Sequence, residues 1–175
     1  MRRLLRLLAI LVSLGAVVAA TGYVLRFELL RLQLGLPSYT HALGEQRDVR
    51  VAMRDGVRLA TRVYEPRGEG PWPTVLIRNP YDAVFVQGWC GIFARFGYAC
   101  VYQEARGQMS SEGGWEPMVN EPTDGEDTLA WLVDQPFQDG NIGFYGPSYL
   151  GGVQWATASR GLPPEVKTMV PMVFA

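Results

Sequence analysis

The sequence predicts an α/β domain built on a mostly parallel sheet with a leading β-hairpin, preceded by an N-terminal transmembrane helix. Three observations carry this prediction. Asp55-Gly56 joins two alternating runs, a continuous apolar run follows in "TVLIRNPY", and strand-like and helix-like segments then alternate to the end of the chain. Asp-Gly between alternating runs is a strong hairpin signal. A strand without alternation is buried on both faces, as in a parallel sheet. Alternation of strand and helix is the α/β pattern, and 175 residues hold about one such domain.

The N-terminus is read first. Arg2, Arg3 and Arg6 precede nineteen uncharged residues, Leu7 to Leu25. As a helix this stretch is about 28 Å long, close to the hydrocarbon thickness of a bilayer. It is longer than the apolar region of a secretory signal. Residues 1–26 are therefore expected to be an uncleaved membrane anchor. More arginines before the span than after it (Arg26, Arg31) set the N-terminus inside and the domain outward, periplasmic or extracellular. The alternative is a signal cleaved after Ala20 in "VVAATG", which would release a secreted protein. Residues 27–46 read as an amphipathic linker punctuated by Pro37 and Gly44, with His41 inside it.

The domain is expected over 47–175. "DVRVAMRDGVRLATRVYEP" is the hairpin, "RGEGPWP" a loop and "TVLIRNPY" the first buried strand. "FVQGWCGIFARFG" reads as a helix, "YACVYQEARG" as a strand and "QMSSEGGWEPMVNEP" as a long loop. "TDGEDTLAWLVDQ" opens with Thr123 and Glu126 at capping-box spacing, and Leu129, Leu132 and Val133 form its inward stripe. The pair Glu126 and Asp127 is then a solvated helix start and not an acid/base dyad. "NIGFYG" is a strand, "YLGGVQWATAS" a helix and "VKTMVPMVFA" a final strand.

Composition excludes several functions. The net charge of −1, with a single lysine at Lys167, leaves no basic footprint for nucleic acid. Neither phosphate-binding glycine pattern follows a strand, so no nucleotide cofactor is expected. Cys90 and Cys100 stand ten apart without a CxxC pair or a nearby histidine, which argues against zinc. Two buried free thiols are expected, a disulfide becoming admissible in an oxidising compartment.

Ser148 sits in "NIGFYGPSYLGGVQW", between an apolar strand and a helix. Such a turn forces the serine into a strained conformation with its hydroxyl at the carboxyl edge of the sheet. Gly146 precedes it by two; the second glycine, Gly151, follows by three, where the usual pattern has two. The Tyr149 N–H, first of the new helix, is the natural donor to an oxyanion. The competing reading has Ser148 merely capping the helix.

The blocks "MRDGVRLATRVYEP", "TVLIRNPYD", "QEARGQMSSEGGW", "DGEDTLAWLVDQPFQDGNIGFYGPSYLGGVQW" and "VPMV" resemble, in order, the N-terminal half of the cocaine esterase / X-prolyl dipeptidyl-peptidase family of α/β-hydrolases. The resemblance covers about Asp48 to Val173. It implies an α/β-hydrolase fold, with Ser148 of "GPSYLG" as the acylated nucleophile. The tyrosine of "NPYD", Tyr81, would donate its hydroxyl to the oxyanion beside the Tyr149 N–H. Substrates implied are small esters and amides, including N-terminal dipeptides ending in proline. Arg106, Glu112 and Asp82 read as structural, and Trp115 and Trp131 as core.

The family's triad continues with an Asp and then a His after later strands, and this chain has no position for either. His41, its one histidine, lies before the first strand and is not expected to serve. The domain is accordingly expected to be C-terminally truncated, with a missing C-terminal portion or a complementing chain supplying both groups. Alone, the 175 residues are expected to be nearly inactive, because loss of the histidine from a triad removes about six decades of kcat. A non-catalytic α/β fragment is the second reading.

Overall fold

The computed structural model describes residues 2–82 and 84–173; the side chains of residues 2–5, 7–9, 24, 27, 84 and 85 also lie outside the description. The chain divides into two compact units, Met1–Ser38 and Tyr39–Ala175.

The first unit is helix α1, Arg2–Gln33. It runs through residues 27–33, read above as linker, because no glycine or proline occurs between Phe27 and Gly35. There the helix ends in a Schellman turn: Gly35 has φ +64°, Leu36 N–H bonds the Arg31 carbonyl at 3.0 Å and Gly35 N–H that of Leu32 at 3.1 Å. The expected span Leu7–Leu25 lies within α1. Among the described residues no helix is long and apolar enough to cross a membrane, so the predicted transmembrane helix is not supported here.

The second unit is a six-stranded sheet in the order β1-β2-β4-β3-β5-β6. Strands β1 (Leu43–Ala52) and β2 (Arg58–Pro66) form the predicted antiparallel hairpin, with Gly56 at φ +85° in its turn. β2 is antiparallel to β4 (Ala99–Glu104). β4, β3 (Trp72–Asn79), β5 (Gln138–Pro147) and β6 (Val166–Met172) are all parallel. The predicted last two residues of β6, Phe174 and Ala175, lie outside the described residues.

β3 is buried on both faces, as its unbroken apolar run predicts. Val75 and Ile77 enter a cluster with Tyr64, Tyr102 and the α2 residues Val86, Cys90 and Ala94, α2 being Val84–Arg95. Leu76 enters the opposite cluster with Val101, Phe144 and the α3 residues Leu129 and Leu132, α3 being Glu121–Val133. Helix α4, Tyr149–Ala158, packs beside α3.

Two local expectations are corrected. Cys90 of α2 and Cys100 of β4 are not free thiols but a disulfide, with Cα atoms 5.1 Å apart. A spacing of ten carries no pairing signal; the packing of α2 on β4 brings the two together. The capping box at Thr123 is also absent, because α3 starts earlier, at Glu121, with Pro122 in its first turn. Thr123 Oγ1 instead donates to the Asn120 carbonyl at 3.1 Å. Glu126 and Asp127 are the partners of Arg54, at 2.8 and 2.6 Å, and Glu126 also meets Arg160 at 3.1 Å.

Candidate active site

Ser148 occupies the turn from β5 into α4 with φ +54° and ψ −129°, a conformation rare for any residue but glycine. Its hydroxyl makes no capping bond, so the capping role is not the one it plays. Its backbone is fully engaged. The N–H donates to the Met172 carbonyl at 2.8 Å, and its carbonyl accepts from Gly151 and Gly152 at 2.8 and 3.0 Å. With the main chain fixed on both sides, the side chain is left exposed at the carboxyl edge of the sheet.

Tyr81 follows β3 by two residues. Because β3 and β5 are parallel neighbours, it leaves the sheet at the same edge as Ser148. Asn79 fixes its main chain: Oδ1 accepts the Tyr81 N–H at 3.3 Å, and Nδ2 donates to the Tyr81 carbonyl at 2.6 Å and to the Tyr102 hydroxyl at 3.0 Å. The Tyr81 side chain is 46% exposed, and its ring meets that of Tyr149 edge-on at 6.3 Å.

Tyr149 opens α4, so its N–H is one of the helix-start donors that have no partner within the helix. Its side chain turns inward. The hydroxyl accepts from the Met118 N–H at 2.9 Å and donates to Glu121 Oε1 at 3.1 Å. Burial, reinforced by the Glu121 carboxylate, pushes this hydroxyl above the usual tyrosine range and keeps it protonated. Trp115, read from the sequence as core, is only partly buried and lies against the Tyr149 ring at 5.4 Å, within the site's aromatic group.

Beneath these tyrosines runs a network that sequence reasoning missed. Arg78 of β3 is 1% exposed; its Nε donates to Gln103 at 2.8 Å, and its Nη1 meets Glu121 Oε2 at 2.8 Å. The available signal was a lone arginine inside an apolar strand, which must find a buried partner. Arg106 pairs with Asp124 and Asp55, both at 2.6 Å, and Glu112 with Arg58 at 2.7 Å, structural roles as expected. Trp131 packs into two core clusters, while Asp82 is exposed.

His41 belongs to the second unit, not to a linker outside it. Its ring packs edge-on against Trp72 at 5.2 Å, and Nδ1 meets Thr40 Oγ1 at 2.9 Å. Trp72 begins β3, whereas Tyr81 follows its end; about 23 Å of strand separates the two ends. His41 cannot reach the carboxyl edge. Among the described residues no group of His, Cys, Asp and Glu could hold a metal ion.

A strained, exposed serine on a strand-to-helix turn, at the carboxyl edge of a parallel sheet led by a hairpin, defines the α/β-hydrolase class. The comparisons narrow this. The profile of the X-Pro dipeptidyl-peptidase (S15) family matches residues 55–175, and the chain belongs to that family. It is 47% identical to cocaine esterase from Rhodococcus sp. (strain MB1 Bresler) over 121 residues, 66% of this chain and 21% of that protein. Among solved structures it is similar to an aminopeptidase from a marine sediment archaeon, Thaumarchaeota (TM-score 0.65, 28% identity, 75% of this chain and 25% of that one). It is also similar to an α-amino acid ester hydrolase (TM-score 0.61, 31% identity, 74% and 25%). A CocE/NonD family hydrolase from Staphylococcus aureus gives TM-score 0.63 at 26% identity, over 75% and 30%. The chain thus spans about a fifth to a third of the length of these relatives, which are hydrolases.

Proposed function

We propose that the protein is a serine hydrolase that cleaves ester or amide bonds, X-Pro dipeptidyl bonds among them, by acyl transfer through Ser148. The observation that carries this is the backbone of Ser148, held at φ +54° with its hydroxyl uncapped and exposed. Ser148 Oγ attacks the substrate carbonyl carbon while a histidine base takes its proton. The Tyr81 hydroxyl and the Tyr149 N–H bind the resulting oxyanion. Collapse expels the alcohol or amine, which takes that proton, and leaves an acyl-serine that water hydrolyses.

The base and its orienting carboxylate are the parts these 175 residues do not supply. His41, packed against Trp72 at the opposite edge, is not in position to serve, so the proposed mechanism requires both groups from outside these residues. An oxyanion hole without a base retains only about 10³–10⁴ over water, which is why the inert fragment stands as the second reading for the 175 residues alone. The test is pre-steady-state hydrolysis of a para-nitrophenyl ester and of a prolyl dipeptide anilide by the protein as purified from its native source, with the base present. A burst of chromophore, abolished in Ser148→Ala, is expected; steady turnover unchanged by that substitution refutes the mechanism.

Attachment to a membrane through the N-terminal helix, with the domain outward, is part of the same proposal. Ile10, Leu11, Val12, Leu14, Val17 and Val18 are exposed, and Arg2, Arg3 and Arg6 precede them. A buried disulfide is typical of proteins outside the reducing cytoplasm. Recovery of the protein in the carbonate-washed membrane fraction is expected; recovery as a soluble, uncleaved protein contradicts it.

A further inference from the structure

Tyr149 contributes its N–H to the acyl-transfer reading, but its side chain has no part in that chemistry. The structure nevertheless holds it with unusual care. The hydroxyl lies between the Met118 N–H at 2.9 Å and Glu121 Oε1 at 3.1 Å, and the ring is flanked by Trp115 at 5.4 Å and Tyr81 at 6.3 Å. Met118 takes φ +64° to present its N–H, a strained position for a residue that is not glycine. Glu121 is 3% exposed and stands at 2.8 Å from Arg78, which lies in β3 three residues before Tyr81. Among the described residues Glu121 Oε2 makes no directed hydrogen bond and faces Arg78 Nη1 as an ion pair.

The consequence is a single connection between the two donors. Tyr81 leaves a strand anchored by Arg78; Tyr149 is tied through its hydroxyl to the carboxylate that Arg78 holds. We infer that the Tyr149 hydroxyl, with Glu121 and Met118, is a positioning device that sets the Tyr149 N–H relative to Tyr81 for the developing oxyanion. It also ties the loop after β4 to the serine turn, so that the loop bearing Trp115 and the nucleophile are held as one body. An N–H displaced by a fraction of an ångström still binds a planar carbonyl. It loses the shorter contact that only the tetrahedral oxyanion makes. The tether therefore acts on the transition state and not on substrate affinity.

This inference rests on the acyl-transfer reading, and the experiment separates the two. In the active protein, Tyr149→Phe keeps the ring and removes both hydrogen bonds. Its kcat is expected to fall about 10²-fold, the scale of a slightly misplaced catalytic group, with KM near the parent value. Affinity for an alkyl boronic acid, a mimic of the tetrahedral intermediate, should weaken by the same factor. Glu121→Gln keeps an acceptor for the hydroxyl and gives up the charge opposite Arg78. Its kcat is expected to fall by a smaller factor than that of Tyr149→Phe, again with KM near the parent value, because the hydroxyl keeps an acceptor that Arg78 holds less firmly. A Tyr149→Phe enzyme with lower Tm but unchanged kcat and boronate affinity overturns the inference, because the tether is then structural only. Activity that survives Ser148→Ala overturns the acyl-transfer reading and this inference with it.

Discussion

Gly146 and Leu150 approach so closely across the serine turn that a β-carbon on the glycine would overlap the Leu150 side chain. The two residues bracket Ser148, one near the end of β5 and the other in the first turn of α4. Their contact sets how sharply the chain bends at the serine. Gly146→Ala must push α4 outward or reopen the turn. Overpacking of this kind costs about 1–3 kcal/mol, and on the proposed acyl-transfer mechanism a displaced Ser148 loses about 10²-fold in rate. A fall in kcat far larger than the accompanying fall in Tm would explain is expected, measured as ester hydrolysis beside thermal melting.

A second close approach joins α3 to α4. A β-carbon on Gly125 would overlap the Thr157 hydroxyl, which itself donates to the Val153 carbonyl at 2.8 Å. Gly125→Ala is expected to destabilise by about 1–3 kcal/mol. Thr157→Ala makes room, so the double variant should recover part of that loss. A denaturant-melt double-mutant cycle checks this, and strict additivity would show that the two sites are not coupled.

The disulfide between Cys90 and Cys100 predicts that no thiol titrates in guanidinium without reductant. Closing a loop of this length in the unfolded chain is worth about 3 kcal/mol in the chain-entropy treatment. Reduction, or the paired change of both cysteines to alanine, should lower stability by that order. Two titratable thiols in the unreduced protein would contradict the pairing.

Acid should weaken the domain gradually. Arg62 holds Asp48 below the usual carboxylate range, Arg106 does so for Asp55, Arg58 for Glu112, and Arg160 with Arg54 for Glu126. With folded-state values depressed, the unfolded chain binds more protons in acid. The stabilisation is therefore complete above the unfolded values near about 4 and is lost as pH falls through the folded ones. These groups are largely exposed, so the effect is modest and screened by salt. Tm should be flat from about pH 7 to 5 and fall below about pH 4, less steeply in high salt; a Tm that rises on acidification contradicts the assignment.

Much of this fold is written locally. The hairpin announces itself at Asp55-Gly56, β3 in its unbroken apolar run, and Ser148 in the small residues around it. What stayed hidden is what depends on distant partners. Arg78 and Glu121 are 43 positions apart, and only the packing of α3 over the sheet makes them a pair. The disulfide is hidden for the same reason, and so is Trp115, whose place beside Tyr149 follows from the path of a long loop. The N-cap of α3 lies three residues before the one the sequence suggests, because Thr123 and Glu126 imitate a capping box while Asn120 stands at the N-cap and Pro122 in the first turn. His41 illustrates the converse. Sequence order placed it outside the domain, and the fold brings it in, but at the edge opposite the serine.

The most direct test of the central claim is reaction of the protein with a fluorophosphonate probe, followed by peptide mapping of the adduct. Labelling confined to Ser148 and absent from Ser148→Ala is expected. A catalytically active protein whose Ser148 stays unlabelled would contradict the assignment of this serine as nucleophile.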